Sequence, residues 1–302
     1  MTYEAPAVRP AAALGRGRRL ATWLHAHPRA QLRLLLTGPV GWMGLAYFGS
    51  LFILLLSAFW AKDAFTGLVV PFDWSLAAFE QLFSNEVYRT IALRTVGIAV
   101  LVTLTDVVLA FPIAYYMARM ASARMRGLLV VAVLMPLWAA YLVKIYAWRT
   151  ILQGNGLAEW LLGFFGIPGP GLDELANSWL VFSYLWLPYM VLPIYAGLER
   201  IPNSLLEASA DLGARAGTTF RRVVLPLVFP ALVAGSIFTF SLTLGDYIVP
   251  DLVSDAKFIG NVIYDNSSLG NPPLAAAYAL LPIGIMIVYL AVARRLGAFE
   301  SL

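Results

Sequence analysis

Carboxylates next to aromatic side chains are the residues in this sequence whose types and spacing best suit chemistry. Asp246 directly precedes Tyr247 at the end of an apolar stretch, and Asp106 lies in the middle of another. A carboxylate and an aromatic face can together hold an alkylammonium group, by charge pairing and by a cation–π contact. Tyr141 stands in a third stretch, which is rich in aromatic residues. These four residues are therefore candidates for a pathway that carries a small organic cation.

Each candidate also has a structural interpretation. An exposed charge in the middle of a membrane span costs about 2.5–3.5 kcal/mol, so Asp106 is expected to face a cavity or a partner. Its neutral form could instead hydrogen-bond Thr103, Thr105 or a neighbouring helix. The acid and tyrosine at 246–247, like Tyr141, could belong to the aromatic belts that form where helices leave a bilayer.

The sequence has no pattern typical of an enzyme or of a metal site. Cysteine is absent, and the two histidines, His25 and His27, both lie near the N-terminus. No Gly-x-x-x-x-Gly-Lys-Ser/Thr loop is present to bind nucleotide phosphates, and no histidines have metal-ligand spacing. We therefore expect no catalytic residue, no metal, no cofactor and no nucleic-acid partner.

Composition and hydropathy indicate a membrane protein. The 302 residues are 60% hydrophobic and 13% charged, whereas soluble domains are about 25% charged. A hydrocarbon core about 30 Å thick requires about 20 apolar residues per helix. We therefore predict an all-α fold, a polytopic bundle of six transmembrane helices. The predicted spans are approximately Val40–Ala61, Thr95–Met117, Leu128–Ala147, Trp179–Gly197, Leu227–Leu244 and Leu274–Ala293.

The distribution of charge predicts the orientation in the cell (inner) membrane. Fifteen of the 21 basic residues lie in segments that are cytoplasmic when both termini are inside, as the positive-inside rule favours. Eleven of the 17 acidic residues lie on the other side. A negative outer face would concentrate a cation, although the positive-inside rule depletes that face of basic residues without any ligand.

Two domains are predicted, a basic cytoplasmic tail at residues 1–38 and a membrane domain at residues 39–302. The tail could form an interfacial helix around residues 16–36 or stay an unstructured positive flank. The apolar stretch after it has no clear small-residue cleavage pattern, so we interpret it as a membrane anchor rather than a cleaved signal.

Two outer loops carry local signals. A short helix is predicted at Leu76–Phe83, with Asp73 or Ser75 as its N-cap. The stretch Gly154–Gly171 is rich in Gly and Pro, which predicts a turn rather than a helix.

The polar segment at residues 199–226 is too long to be an unstructured connection in a compact bundle. Pro202 cannot continue the preceding helix cheaply. Ser204 and Glu207 fit a capping box, in which the glutamate reaches back to the N-cap backbone N–H. Glu207 thus has two possible roles, in this cap or in contact with a partner.

The second half of this segment is predicted to form another short helix. Gly213 suits the left-handed conformation that ends a helix. The next helix is predicted to begin at Thr218 or Thr219 and to end before Pro226. Two short helices at an angle would offer a compact, partly apolar surface, which suits docking into a groove.

The residues of this segment resemble the EAA loop of ABC-importer permeases. Glu207-Ala208, Gly213 and Leu225-Pro226 match that pattern, and Ser209 stands where the family has Ala. Val223 replaces Ile. The resemblance implies a type I ABC-importer permease fold, in which the loop is a coupling helix seated in a groove of the ATP-binding subunit. The coupling residues that it implies are Glu207, Ala208, Ser209, Asp211, Gly213, Val223, Leu225 and Pro226.

Three further stretches resemble the spermidine/putrescine subfamily of these permeases. They are Tyr146-Ala-Trp-Arg149, Phe111-Pro112-Ile-Ala114-Tyr115 and Leu244-Gly-Asp246-Tyr-Ile-Val-Pro250. The resemblance implies import of a small organic cation, such as a polyamine, delivered by an external solute-binding protein. It also implies a second, homologous permease and two ATP-binding subunits, which hydrolyse the ATP.

Other functions remain open at this point. The same import machinery could carry an amino-acid derivative, an opine or ferric iron. The chain could instead be a secondary transporter, although we find none of the matched broken helices that such carriers often show. A membrane scaffold without transport is a third alternative.

Overall fold

The first long helix of the structure begins inside the segment that we predict to be a basic tail. The chain divides into two compact units, Met1–Leu56 and Ser57–Leu302. Most of the candidate interfacial helix at residues 16–36 lies outside the described residues. The structure, a computed structural model, describes residues 27–63, 66, 68–154, 156–164 and 174–295.

One apolar helix makes up most of the described part of the first unit. It consists of α1 (Pro28–Trp42), a π-helical stretch (Met43–Phe48) and α2 (Gly49–Ser57). Proline suits the first turn, because the N–H that it lacks would have no intrahelical partner there. The helix is long and apolar enough to cross a bilayer, and only 6% of its most apolar window is buried within the protein. The first predicted span is thus helical, but it begins and ends earlier in the chain.

A two-stranded antiparallel hairpin comes next, which the sequence did not lead us to predict. β1 (Trp60–Lys62) pairs with β2 (Val69–Trp74), and Trp60 lies opposite Trp74. The register shifts after Trp60, as it does at a β-bulge. The other regular elements in the described ranges are helical, which agrees with the predicted all-α class.

A short helix lies where the sequence predicts one between the first two spans. It is α3 (Ala77–Ser84), with Leu76 at the N-cap and no capping side chain. Ser75 Oγ accepts the N–H of the first helical residue at 3.2 Å, and Asp73 lies in β2. Both predicted N-caps are therefore wrong, because the helix begins one residue later than an N-cap at Ser75 requires and three residues later than an N-cap at Asp73 requires.

The remaining helices contain four more single spans and one broken span. The helices α4, α8 and α14, and the continuous helix of α10 and α11, are each long and apolar enough to cross a membrane. With the first helix and the bent pair α5 and α6, they account for the six predicted spans. In chain order these helices are α4 (Glu86–Tyr115, with a π-helical turn at Tyr116–Met120), α5 (Ala123–Trp138), α6 (Tyr141–Leu152), α7 (Leu157–Phe164), α8 (Glu174–Glu199), α9 (Asn203–Asp211), α10 (Ala216–Thr219, with a π-helical turn at Phe220–Val224), α11 (Leu225–Gly245), α12 (Ile248–Val253), α13 (Ile259–Ser268) and α14 (Pro272–Arg295).

The third span is not the single helix that we predict at Leu128–Ala147. The axes of α5 and α6 meet at 92°. Ala139 and Ala140 separate them with extended ψ angles of 139° and 136°. Pro136 weakens the helix just before the break, since it cannot donate a backbone hydrogen bond. Hydropathy does not detect this bend, because both halves are apolar.

The stretch Gly154–Gly171 contains a helix where we predict only a turn. Leu157–Phe164 forms α7, and residues 165–173 lie outside the described part of the chain. The glycines and prolines concentrate at residues 166–171. The residues before them are mostly good helix formers, which is why the composition of the whole stretch misled the prediction.

Small residues allow α8 and α11 to pack closely. A Cβ on Gly197 would lie 2.6 Å from Cβ of Ala231, and one on Gly235 would lie 2.7 Å from Sδ of Met190. Small residues at helix contacts are typical of membrane bundles. Where these spans meet residues 199–226, an apolar group that we call the loop-end cluster is buried. It includes Ala114, Met117, Ala118, Ile194, Leu198, Ile201, Val224 and Val228.

Candidate functional site

The predicted capping box of the 199–226 segment does not form. Helix α9 begins at Asn203, with Pro202 at its N-cap and no capping side chain. A capping box needs an N–H on the N-cap residue, which proline lacks. Ser204 therefore lies inside the helix. Glu207 is exposed and has no hydrogen-bond partner in the described part of the chain, so its carboxylate is available to a partner protein.

Gly213 ends α9 in the predicted left-handed conformation. Its φ is +73°, its N–H donates to Ala210 O at 2.8 Å, and the N–H of Ala214 donates to Ser209 O at 3.1 Å. These two hydrogen bonds form a Schellman motif. The prediction for Gly213 is confirmed, and the motif turns the chain sharply from α9 toward α10.

The second helix of the segment is continuous with the fifth span, which corrects our prediction. It begins at Ala216 instead of Thr218 or Thr219, and it passes through the π-helical turn into α11. Pro226 does not end it, because it stands at the second position of α11. The π-helical turn directly before α11, in which the N–H of Leu225 donates to Phe220 O, already departs from α-helical bonding and so accommodates a residue that has no N–H to donate. A displacement of α10 would therefore act directly on the span.

Ser209 has a structural explanation in its contact with Thr219. The two hydroxyl groups lie 2.8 Å apart, and Ser209 is buried. This hydrogen bond joins α9 to α10, and alanine could not form it. The other implied coupling residues differ in exposure. Glu207, Ala208, Asp211, Gly213 and Pro226 are exposed, whereas Val223 and Leu225 are partly buried.

Replacing Ser209 with Ala should destabilise the 199–226 segment by about 1 kcal/mol, the usual net value of one hydrogen bond. Thermal unfolding of the purified protein should show a lower melting temperature. Ser204→Ala is the matched control, since Ser204 lies in the same helix, is exposed and has no hydrogen-bond partner among the described residues. Equal melting temperatures for the two variants would remove the role of the hydroxyl pair.

At the opposite ends of the spans, the structure brings together two of the four predicted pathway residues. The hydroxyl group of Tyr141 donates a hydrogen bond to Oδ2 of Asp246. The other oxygen of Asp246 accepts the N–H of Val249 at 2.8 Å, at the start of α12. Tyr141 is the first residue of α6. The bend in the third span thus places its hydroxyl group at the end of the fifth.

The backbone around Asp246 is held in place from α13. A Cβ on Gly260 would lie 2.6 Å from the carbonyl oxygen of Asp246, so the close approach requires glycine. Asn261 Nδ2 donates to the carbonyl oxygen of Tyr247 at 2.9 Å. Thr95 Oγ1 of α4 accepts the N–H of Ile259 at 3.0 Å. These contacts tie the start of α13 to both α4 and the end of α11.

The tyrosine that donates to this carboxylate belongs to a group of packed aromatic rings. Tyr141 stacks on Trp186, with ring centroids 6.0 Å apart and planes at 15°. Trp186 also meets Tyr189 edge to face. Tyr247 instead stacks on Tyr264, at 4.4 Å. Trp186 was not among the predicted site residues, although a tryptophan in the middle of a span, away from the interfacial belts, could have signalled it.

Asp106 does not make the hydrogen bonds that its structural interpretation requires. It is fully buried, and neither carboxylate oxygen has a partner in the described part of the chain. Thr103 and Thr105 donate to the carbonyl oxygens four residues earlier in α4, and Thr105 accepts the indole N–H of Trp179 at 2.9 Å. Within the described part of the chain Asp106 thus has neither threonine as a partner, and both threonine hydroxyl groups donate to their own helix instead.

Charged residues surround a polar cavity near the ends of α6, α8 and α12. The cavity has a volume of about 350 Å³, and Arg149, Glu174, Asp251 and Asp255 are among its lining residues. Nζ of Lys257 lies 3.4 Å from Oδ1 of Asp251 and 3.2 Å from Oδ2 of Asp265. Partial burial lowers the pKa of Lys257, but the two carboxylates raise it by more, so the net pKa lies above its ordinary value.

Residues 94–299 match the family described as binding-protein-dependent transport system inner membrane component. The chain belongs to this family. The inner membrane ABC transporter permease protein YdcU of Escherichia coli (strain K12) is 49% identical over 292 residues, covering 91% of this chain and 93% of that protein. The spermidine/putrescine transport system permease protein PotB of the same strain is 32% identical over 231 residues, covering 74% of this chain and 82% of that one.

A solved structure has the same fold. It is the crystal structure of a bacterial ABC transporter involved in the import of the acidic polysaccharide alginate, with a TM-score of 0.67 at 18% identity, covering 92% of this chain and 99% of the matched chain. The predicted resemblance and the type I importer fold are thereby confirmed. The protein is a multi-pass inner-membrane permease subunit of an ABC importer, a transport component that works with a solute-binding protein and partner subunits. This membership argues against the secondary-transporter and scaffold alternatives.

Proposed function

We propose that this permease imports a small organic cation, a polyamine such as putrescine or spermidine. The observation that best supports the proposal is the contact of Tyr141 with Asp246 beside the ring of Trp186. It combines a carboxylate with aromatic faces, which together suit an alkylammonium group. The printed name of the PotB relative also supports a polyamine, whereas that of YdcU specifies no solute.

Asp246 attracts the cation by its charge in this proposal. Its present hydrogen bonds come from neutral donors, the hydroxyl group of Tyr141 and the N–H of Val249. They orient the carboxylate without neutralising it. An arriving ammonium group would find the charge uncompensated, with the rings of Tyr141 and Trp186 beside it. Tyr247 lines the same end of the pathway through its ring.

Asp106 is the second acidic group of the proposed pathway. Its carboxylate lies in the spanning helix α4 and has no hydrogen-bond partner among the described residues. Burial without a partner disfavours the ionised form of this group, and an arriving cation would stabilise that form. A polyamine carries more than one ammonium group, and two separate carboxylates along its route would suit it.

The 199–226 segment is the proposed contact with the ATP-binding subunits. Glu207, Ala208, Asp211 and Gly213 form its exposed part, and Leu212 adds an apolar side chain that is 88% exposed. An apolar side chain ringed by polar residues suits docking into a groove. Because α10 continues into α11, a movement of the docked helix would pass directly to the fifth span.

The complete importer in this proposal contains a second, homologous permease, two ATP-binding subunits and an external solute-binding protein. Both termini and the 199–226 segment lie in the cytoplasm, and Asp246 lies toward the outside. ATP binding closes the two ATP-binding subunits, the docked helices approach each other, and the spans open outward to receive the solute.

The proposal is tested by purifying the permease with its natural partners and reconstituting the complex in liposomes. We expect ATP-dependent uptake of labelled putrescine or spermidine, which the unlabelled compound should inhibit. The competitors should include an amino-acid derivative, an opine and ferric iron. ATP-dependent uptake of one of these without uptake of either polyamine would contradict the proposed substrate and leave the import machinery in place.

A further inference from the structure

Arg119 occupies an unusual position at the end of the second span. It lies in the π-helical turn Tyr116–Met120 that follows α4. Its neighbours Met117 and Ala118 are buried in the loop-end cluster. The turn is thus held firmly against the neighbouring spans, while the guanidinium group of Arg119 extends toward the 199–226 segment.

Three hydrogen bonds leave this one guanidinium group. Nη2 donates to the carbonyl oxygens of Leu198 at 2.6 Å and Ile201 at 2.7 Å, and Nη1 donates to Oδ1 of Asn203 at 2.9 Å. Leu198 lies in the last turn of α8, where carbonyl groups lack partners four residues further along the helix, and Ile201 lies two residues beyond the end of α8. Asn203 is the first residue of α9. The side chain therefore joins the ends of two spans to the start of the docking helix.

Other contacts in this region cannot replace that connection. Arg119 lies in the π-helical turn that follows α4, and Asn203 lies in α9. In the described part of the chain, no other hydrogen bond joins a side chain of α4 or its π-helical turn to a side chain of α9. The ion pair of Arg126 with Glu199, with Nη1 and Oε1 3.2 Å apart, joins α5 to α8 and is solvent-accessible on both sides, with side chains 37% and 49% exposed, and such surface pairs contribute little. The bond of Ser209 to Thr219 lies within the segment itself.

We propose that Arg119 is a positioning residue for ATP coupling, which makes the end of α4 follow the movement of α9. Arginine suits this role because its planar group keeps its charge and presents several donors in a fixed geometry. Apolar packing alone allows helices to slide past each other, whereas the directed hydrogen bond from Arg119 to Asn203 resists sliding against α9, and the two bonds to backbone carbonyl groups hold the guanidinium group in place. The inference rests on the proposed role of the 199–226 segment in docking.

The test compares Arg119→Gln with Arg124→Gln in the complete reconstituted importer. Arg124 is exposed and has no hydrogen-bond partner in the described ranges, so it controls for the loss of one nearby positive charge. The readout is the amount of labelled putrescine imported per ATP hydrolysed. We expect this ratio to fall about tenfold for Arg119→Gln, because several charge-assisted hydrogen bonds are lost, and to stay near wild type for the control. Arg119→Lys should be intermediate, since it keeps the charge without the fork.

An unchanged ratio for Arg119→Gln would overturn the inference. If that variant does not assemble, Asn203→Ala is the deciding variant, because it removes only the hydrogen bond between Arg119 and α9. We expect it to lower the ratio of putrescine imported to ATP hydrolysed about threefold. A wild-type ratio for Asn203→Ala would overturn the inference. Glu207→Arg is measured in parallel. A normal ratio for Glu207→Arg would refute the proposed docking role, whereas a low ratio there with normal Arg119→Gln and Asn203→Ala would refute only the role of Arg119.

Discussion

Replacing Glu207 with Arg should lower ATP-driven uptake more than about tenfold while the permease still inserts and folds. The side chain is exposed and makes no hydrogen bond within the described residues, so the substitution breaks no contact in this chain. In the assembled importer it would bring a positive charge into the docking contact, and unfavourable charge pairs at an interface cost several kcal/mol. Uptake into liposomes and co-purification of the ATP-binding subunits are the measurements.

Glu80→Arg is the matched control for this charge reversal. Glu80 is also exposed on a short helix, α3, and its carboxylate makes no hydrogen bond in the described part of the chain. It is distant in sequence from the docking segment and is placed on the other side of the membrane in the proposed orientation. We expect its uptake to stay near wild type. Normal uptake by Glu207→Arg would refute the docking role of α9.

Replacing Asp246 with Asn should raise the concentration of polyamine needed for half-maximal uptake about tenfold. The variant removes one negative charge from the proposed cation site, and the loss of about 1.4 kcal/mol of attraction corresponds to a factor of ten. The amide oxygen can still accept the N–H of Val249, so α12 should remain in place. Uptake kinetics and recovery of the assembled complex are measured together.

Tyr141→Phe separates the charge of Asp246 from its structural contact. This variant removes the hydrogen bond between the two side chains but keeps the carboxylate and an aromatic ring. If the charge binds the cation, Tyr141→Phe should retain much higher affinity than Asp246→Asn. Equal losses in the two variants would assign the pair to holding α6 against α11, and unchanged kinetics for Asp246→Asn would remove it from the pathway.

Much of the architecture was predictable because it depends on local composition. Helices α8 and α14 extend two to five residues beyond the predicted spans at each end, and α4 begins nine residues before its predicted span. These spans were predictable because a run of apolar residues is sufficient to define a membrane helix. Gly213 was predictable for a similar reason. Its left-handed φ of +73° is a conformation that few other residues adopt readily.

The errors arose where the backbone depends on its surroundings. The 92° bend between α5 and α6 leaves no trace in hydropathy. The capping box at Ser204 failed because the helix starts two residues earlier than predicted, with a proline as its N-cap. Pro226 was expected to end a helix, yet it lies where α11 begins. Each local signal was present, but its position along the helix decided its effect.

Some features of the candidate site were likewise predictable from the sequence, and others depended on the tertiary structure. The sequence by itself determined the family, the number of spans and the residues of the 199–226 segment, because these follow from composition and from spacing along the chain. Only the tertiary structure brought Tyr141 to Asp246, Ser209 to Thr219 and Arg119 to Asn203. These partners are separated by 10 to 105 positions, and a contact over such a separation depends on how helices bend and pack, which the order of residues does not display.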